Sequence, residues 1–307
     1  MRAIVLLAGA VSAAAQTWIP VGPQAATLFD LALDPFDRQT LWAGTYFGGL
    51  YRTQNLGGQW THISAPFDSQ SVFSVAPDPR LRGRIYVGTF QSGAYRTDDA
   101  GATWTRISEG LESRSVLQIA ADPQDSDNVL AATPDGVFFS SDAGASWKIA
   151  SVEGSGDGTR AIVFHPTRRG EVFQGGSHGV FRSTDGGRTW VPFSTGAENA
   201  VIVGLSFSPV SSLLYAVTPD TVLRLAPGGE RWASINDDLP PALIHQGVSI
   251  RPESNAGIIY ISTASGVWVR REDIPGWKFD ILQAARFVRF AEGLGACPRI
   301  PEHRGNG

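Results

Sequence analysis

The sequence has one cysteine, Cys297, in 307 residues, which excludes an internal disulfide. Charged side chains make up only 18%, against about a quarter in an ordinary soluble domain. Acids outnumber bases, 29 to 25, for a net charge of −4. That balance offers nothing to a polyanion, so nucleic acid is not an expected partner. No apolar run reaches the roughly 20 residues a membrane span needs, and no stretch keeps the apolar period of a long amphipathic helix. The five histidines lack metal-ligand spacing such as H-x-x-x-H. The Gly-rich loop 154–158 is not followed by the Gly-Lys-Ser/Thr of a phosphate cradle. There is no G-x-S-x-G elbow in a strand-to-helix context, and Cys297 has no base beside it in the sequence. Neither a metal nor a cofactor is therefore expected.

Turn formers and apolar residues are plentiful. There are 35 glycines and 19 prolines, with 10% aromatic and 42% apolar residues overall. A large core with many tight turns points to an all-β fold. The first residues read as an export signal: the basic start Met1-Arg2, a small and apolar run from Ala3 to Ala15, and an A-x-A cleavage site at Ala13-Ala14-Ala15 before Gln16. Residues 1–15 are thus expected to be a signal peptide, and the mature chain periplasmic or extracellular. No cysteine follows the run, so no lipid anchor is indicated.

The tryptophans reveal a repeat. Trp18, Trp60, Trp104, Trp147, Trp190, Trp232 and Trp277 are spaced 42, 44, 43, 43, 42 and 45 residues apart. Their surroundings repeat too. An apolar run ending in a turn (strand A) is Leu31-Ala32-Leu33-Asp34-Pro35 in one copy and Val75-Ala76-Pro77-Asp78-Pro79 in the next. Strand B follows as Leu41-Trp42-Ala43-Gly44-Thr45 and Ile85-Tyr86-Val87-Gly88-Thr89, then strand C as Gly49-Leu50-Tyr51-Arg52 and Gly93-Ala94-Tyr95-Arg96. Strand D starts at the periodic tryptophan. Four strands in a period of about 40–45 residues are the signature of a propeller blade. The expected fold is all-β, a single β-propeller of four-stranded blades with six full repeats over residues 16–280. Whether the ring has six or seven positions stays open: the orphan D strand Trp18-Ile19-Pro20-Val21 would close a seventh blade and be redundant in a ring of six. Residues 281–307 do not follow the repeat and are either a tail or a degenerate last blade.

Between strands C and D lies Ser183-Thr184-Asp185-Gly186-Gly187-Arg188-Thr189-Trp190, echoed with Asp99, Gly101 and Trp104 and with Asp142, Gly144 and Trp147. The first copy has Asn55 for Asp, and the last two have Pro227 and Glu272. The pattern S/T-x-D-x-G-x-T/S-W resembles the Asp-box of BNR-repeat propellers. The wider repeat is similar to the sortilin-like and xyloglucanase-like branch and to photosystem II assembly-factor propellers. A short acid can accept main-chain N–H bonds within its own turn, Gly supplies positive φ, and Trp locks the hairpin by burial. Asp99, Asp142 and Asp185, with Gly187 and Trp190 beside the last, are therefore expected to be structural, and the resemblance implies a rim position away from the functional face.

Strand order puts the D–A and B–C loops on one face and the A–B and C–D loops on the other. The first face carries the candidate binding residues Tyr46, Phe47, Asp68, Phe90, Glu109, Glu112, Arg114, Asp157, Arg160, His178, Asp237 and His245. Acids interspersed with aromatics suit a protein or carbohydrate ligand. With no catalytic constellation recognisable, the expected function is a non-catalytic binding or assembly scaffold, acting as a monomer. The rival is a glycoside hydrolase, which needs two carboxylates about 5–10 Å apart. Arg299-Ile300-Pro301 matches a sialidase motif but follows all the repeats instead of preceding them, and the xyloglucanase-like enzymes it resembles use two propellers.

Overall fold

The computed structural model describes residues 23, 26–152, 158–240, 244–252, 255–263 and 266–281, with main chain alone for 244–247 and 280–281. The signal peptide expected at residues 1–15, the strand expected at Trp18, Asp157 and residues 282–307 lie outside these residues. All helix-or-strand structure among the described residues is β. The strands form six sheets, each with four antiparallel strands in chain order, and Ser151–Val152, which leaves blade 3, adds a short fifth strand to the blade 4 sheet by pairing parallel with Thr189–Pro192. The A strands Leu28–Leu33, Val72–Pro77, Gln118–Asp122, Thr159–Phe164, Gly204–Phe207 and Ile244–Pro252 are innermost, and successive ones adjoin. Phe29, Phe73, Leu117, Arg160, Val203 and Val248, one from each blade, line a central channel of about 910 Å³. The described chain is thus a six-bladed β-propeller, and the sixth blade has its own D strand at Lys278–Ile281.

The repeated Gly-Thr pair of strand B has a steric and a polar role. A Cβ on Gly44 would stand 2.6 Å from Val72 Cγ1, one on Gly88 2.7 Å from Val116 Cγ1, and one on Gly175 2.4 Å from Ile202 Cγ2. The contacted residue is in each case the one that enters the next blade. Glycine here lets that blade approach. Thr45 and Thr89, which follow the first two of these glycines, are buried, and their hydroxyls donate to the carbonyls of Gly49 (2.9 Å) and Gly93 (2.7 Å) across the B–C turn.

A second device joins the blades at the channel wall. Asp30 Oδ2 accepts from Val75 N (2.9 Å), Ser74 Oγ from Ile119 N (3.1 Å) and Gln118 Oε1 from Ile162 N (2.7 Å). Gln118 Nε2 also donates to Ile162 O at 3.1 Å. These three acceptors occupy one repeat position and reach the same N–H of the following blade. At the periphery, three tryptophan ring N–H groups tie their blade to the one before it, while Trp190 Nε1 donates to Gly187 O within its own turn. Trp147 Nε1 donates to Ile107 O at 2.7 Å, Trp232 Nε1 to Phe193 O at 2.8 Å and Trp277 Nε1 to Ile235 O at 2.7 Å. All three indoles are buried.

The A–B turns rest on one more repeated acceptor. Asp34 Oδ1 accepts from Phe36 N and Asp37 N, and Asp78 Oδ1 from Arg80 N and Leu81 N. His165 stands at this position in blade 4 and does the same with Nδ1, accepting from Thr167 N (3.2 Å) and Arg168 N (3.0 Å). Burial lowers its pKa, outweighing the attraction of Glu171.

Replacing Gln118 by Leu keeps the volume and removes both bonds to blade 4. A loss of about 1–2 kcal/mol in urea unfolding is expected, the scale of one or two part-buried hydrogen bonds. An unchanged midpoint would show that this staple contributes nothing.

Candidate functional site

The three aspartate turns share one geometry. In the blade 4 copy, Asp185 Oδ1 accepts from the Ser183 hydroxyl (2.7 Å), Arg188 N (3.0 Å) and Thr189 N (3.0 Å), while Oδ2 accepts from the Thr189 hydroxyl (2.7 Å). Asp99 and Asp142 repeat the set through Thr97 and Thr103, and through Ser140 and Ser146. The Ser or Thr hydroxyl in turn accepts from the glycine N–H, as from Gly187 at 2.9 Å. Gly187 has φ 93°, and a Cβ there would stand 2.5 Å from Leu130 Cδ2, so both backbone and packing demand glycine. Asn55 reproduces part of the set, accepting from the Thr53 hydroxyl and Gln59 N at 2.8 Å each. The Thr103 hydroxyl, then the Thr97 hydroxyl and Thr103 N–H, hold the Asp99 carboxyl down at about 2. At Asp142 burial opposes the shift, but the bonds from Ser146 and Ser140 still lower the pKa. These turns lie beside the A–B turns, with Ala100 N donating to Gly83 O and Gly186 N to Gly170 O.

The opposite face is built from B–C turns and D–A links. Tyr46 N donates to Thr27 O, Phe90 N to Ser71 O and Gly93 N to Arg114 O. Tyr46 and Phe47 are each 55% exposed, with ring centroids 4.5 Å apart at 68°. Tyr46 also meets Phe29 edge-on at 5.7 Å, Phe29 meets Phe73 at 4.7 Å and 83°, and Phe73 meets Phe90 at 5.4 Å. Five rings therefore form one continuous row across blades 1 and 2 at the channel wall.

Phe29 and Phe73 are not among the residues singled out from the sequence. Each occupies a register shift in the A–B pairing, between Leu28 and Asp30 and between Val72 and Ser74. Arg160 occupies the same position in blade 4, between Thr159 and Ala161. A bulge of this kind takes one residue out of the alternation and re-aims its side chain. The signal in the sequence was the shared repeat position of Phe29, Phe73 and Arg160, which becomes visible once the strand register is known.

The remaining candidates divide by position. Glu109, Glu112 and Arg114 are exposed on the link that leaves strand D of blade 2; Arg114 O accepts from Gly93 N at the Phe90 turn, whereas Glu109 O accepts from Trp147 N beside the blade 3 aspartate turn. His178 and Asp237 belong to blades 4 and 5, apart from the aromatic row. The side chain of His245 and all of Asp157 lie outside the described residues. Most acids on this face are engaged locally. Asp68 accepts from Ala65 N (2.8 Å), Glu198 from Gly196 N (2.8 Å), Asp220 from the Thr218 hydroxyl (2.8 Å), and Asp237 pairs with Arg270. Asp238 accepts from Trp277 N at 2.7 Å. Glu109 and Glu112 enter no ion pair among the described residues. Buried Glu171, on the other face, is neutralised by Arg182 (2.6 Å) and Arg168 (3.2 Å). No group of three or more His, Cys, Asp or Glu able to hold a metal occurs among the described residues, nor any helix long and apolar enough to cross a membrane.

No protein-family model matches the chain, and no curated protein sequence matches it. Solved structures do. An ancestral GH74 enzyme aligns with TM-score 0.71 and 20% identity over 87% of this chain, which spans 40% of that protein. The structure of YCF48 bound to D1 peptide aligns with TM-score 0.63 and 17% identity, over 84% of this chain and 82% of that one. YCF48 from Cyanidioschyzon merolae gives TM-score 0.64 and 15% identity over 85% and 87%. At these identities the likeness establishes the propeller fold, and the chain spans less than half of the GH74 protein it matches.

Two outcomes follow for the aspartate turns. Asp185→Ala should lower stability by about 1 kcal/mol, as removal of a helix cap does, with Asp185→Asn costing less because an amide oxygen supports part of the set, as at Asn55. For Asp99 the folded pKa lies below the ordinary 3.8, so its contribution is complete above that pH and is lost as pH falls toward about 2. Unfolding of Asp99→Asn followed across that window should show a shallower loss than the native chain. An identical slope would contradict the assignment.

Proposed function

We propose that the chain is an exported, monomeric propeller of the BNR/Asp-box kind, a non-catalytic binding or assembly scaffold. It holds a protein or glycan ligand on the D–A/B–C face in the periplasm or outside the cell. One contrast supports this reading best: the carboxylates of that face mostly serve their own turns, while exposed aromatic side chains converge at the channel mouth. A glycosidase needs an acid and a second carboxylate facing one another across a sugar. An acid that accepts several hydrogen bonds is held ionised and is poorly placed to donate a proton. The likeness to YCF48 bound to a peptide fits a scaffold, and the export signal read at residues 1–15 supports the location.

The GH74 likeness and the pairless Glu109 and Glu112 favour a second reading, a glycoside hydrolase working from the 108–115 link. Reducing-sugar release from a panel of polysaccharides including xyloglucan, together with cleavage of a fluorogenic sialoside, separates the two. The scaffold reading expects no turnover from the folded, purified chain. Turnover abolished by Glu109→Gln or Glu112→Gln would overturn it and assign the carboxylate.

A further inference from the structure

The A–B turns of five blades each close on one side-chain acceptor. It is Asp34, Asp78 and Asp122 in the first three blades and His165 in the fourth. In the fifth it is Ser208, whose hydroxyl oxygen accepts from Val210 N (3.3 Å) and Ser211 N (3.2 Å). As residue types, Asp and Ser still accept hydrogen bonds at pH 5, whereas an imidazole that has taken up a proton carries two N–H donors and no acceptor. A protonated His165 would aim an N–H at the N–H groups of Thr167 and Arg168. Turning the ring over presents a C–H there instead.

The surroundings do little for that proton. The His165 and Glu171 side chains are each only 7% exposed, and Nε2 is 3.9 Å from Glu171 Oε2, beyond hydrogen-bond reach. Glu171 is already shared by Arg168 and Arg182. Burial is the main reason that the pKa of His165 lies below the ordinary 6.5; Glu171 opposes it, and Arg168 and Arg182 add to it. From blade 5, Phe207 meets the imidazole edge-on with centroids 4.8 Å apart, and Glu230 is the charged residue of that blade at the same place. From blade 3, Asp125 approaches but is paired with Arg169 at 3.3 Å.

This turn also stands at an unusual junction. On the A–B/C–D face, Arg52 Nη1 of blade 1 donates to Ala100 O of blade 2 (3.2 Å), and Arg96 Nη1 of blade 2 to Ala143 O of blade 3 (2.7 Å). Arg169 and Asp125 link blades 3 and 4. The Ser211 and Tyr215 hydroxyls of blade 5 donate to Glu272 Oε1 of blade 6 at 3.0 and 3.1 Å. Arg182 holds the place of Arg52 and Arg96, yet its printed bonds go to Glu171 of its own blade. Among the described residues, no side chain on this face bonds blade 4 to blade 5. A cavity of about 90 Å³ opens there instead, between His165, Arg168, Glu171, Arg182 and the 226–230 turn of blade 5. At the channel wall, Ala161 occupies the position of Asp30, Ser74 and Gln118 and has no acceptor to offer blade 5.

We infer that the blade 4–5 junction is an acid-sensitive seam: uptake of one proton by His165 frees the 165–171 turn from its acceptor and lets the 226–230 turn of blade 5 part from it, reversibly and with the other blades intact. An opened turn, with its histidine in water, binds the proton near 6.5, and the closed turn binds it less readily. The closed seam is therefore fully favoured above that pH and loses ground as pH falls below it.

Hydrogen exchange of the intact chain, read by mass spectrometry at pH 7 and pH 5 and corrected for intrinsic rates, tests this. Protection of peptides covering 165–171 and 226–230 should fall about tenfold at the lower pH, the effect of one proton whose affinity differs by a decade between the closed and open turn. The matching turn at 78–84 should keep its protection. His165→Asn and His165→Asp retain an acceptor oxygen for the turn and take up no proton near pH 6, so both segments should be equally protected at the two pH values. Ala161→Gln adds the channel-wall acceptor that Gln118 supplies one blade earlier and should confine the loss to 165–171. Unchanged protection of 165–171 in the native chain, or an equal fall in the two His165 variants, would overturn the assignment to His165. A fall at 165–171 with 226–230 unmoved in the native chain would overturn the seam.

Discussion

The close approach of each blade to the next governs the rest of this structure. A four-stranded sheet with one apolar face is not stable alone, and the ring works because each sheet buries that face against its neighbour. The distance of approach is set where strand B meets the residue entering the following blade. At Gly44, Gly88 and Gly175 a single added methyl group would collide. Once the sheets are that close, the acceptors at Asp30, Ser74 and Gln118 reach the neighbouring main chain, and Trp147, Trp232 and Trp277 reach carbonyls of the preceding blade. Packing supplies most of the stabilisation and the polar staples make the relative placement specific, because a missed bond at a buried N–H costs about 1–3 kcal/mol.

That rigidity leaves the two faces with different duties. On one, acids and hydroxyls close the A–B and C–D turns, and their carboxylates are occupied in doing so. On the other, bulges and a strained turn present rings to solvent, an arrangement that costs stability and needs a reason outside the fold. Acids are present on both faces, yet their surroundings differ. Asp99 and its counterparts are held by three or four bonds each, whereas the side chains of Glu109 and Glu112 are exposed and enter no ion pair among the described residues.

The architecture was legible in the sequence because a ring of similar blades repeats its constraints. The tryptophan period, the Gly-Thr pair and the aspartate turn each recur several times, and turn chemistry explains every residue type in them. His165 stands before proline where other blades have Asp-Pro, and its Nδ1 accepts the two N–H bonds that Asp accepts elsewhere. The aromatic row was half legible: Tyr46, Phe47 and Phe90 sit in turns, where exposure is expected. Phe29 and Phe73 lie in strands whose alternation would point them by rule, and only a register shift between paired strands, a non-local property, sends them to the channel mouth. The inter-blade staples were hidden for a related reason. Asp30, Ser74 and Gln118 share a position and a partner but differ in chemistry, so no motif marks them. Asp237 looked like a free loop acid, and its pairing with Arg270 depends on the sixth blade carrying arginine where the first four blades carry Ser or Thr and the fifth carries Leu225.

Hydroxyl-radical footprinting tests the division between the faces most directly. The purified chain is oxidised alone and with saturating amounts of whichever peptide or polysaccharide it retains, and modification is quantified ring by ring. The account predicts protection of Tyr46, Phe47 and Phe90, with Phe36, an exposed ring on the face of the aspartate turns, oxidised as before. Protection of Phe36 with Tyr46 and Phe47 left open would place recognition on the opposite face and contradict the account.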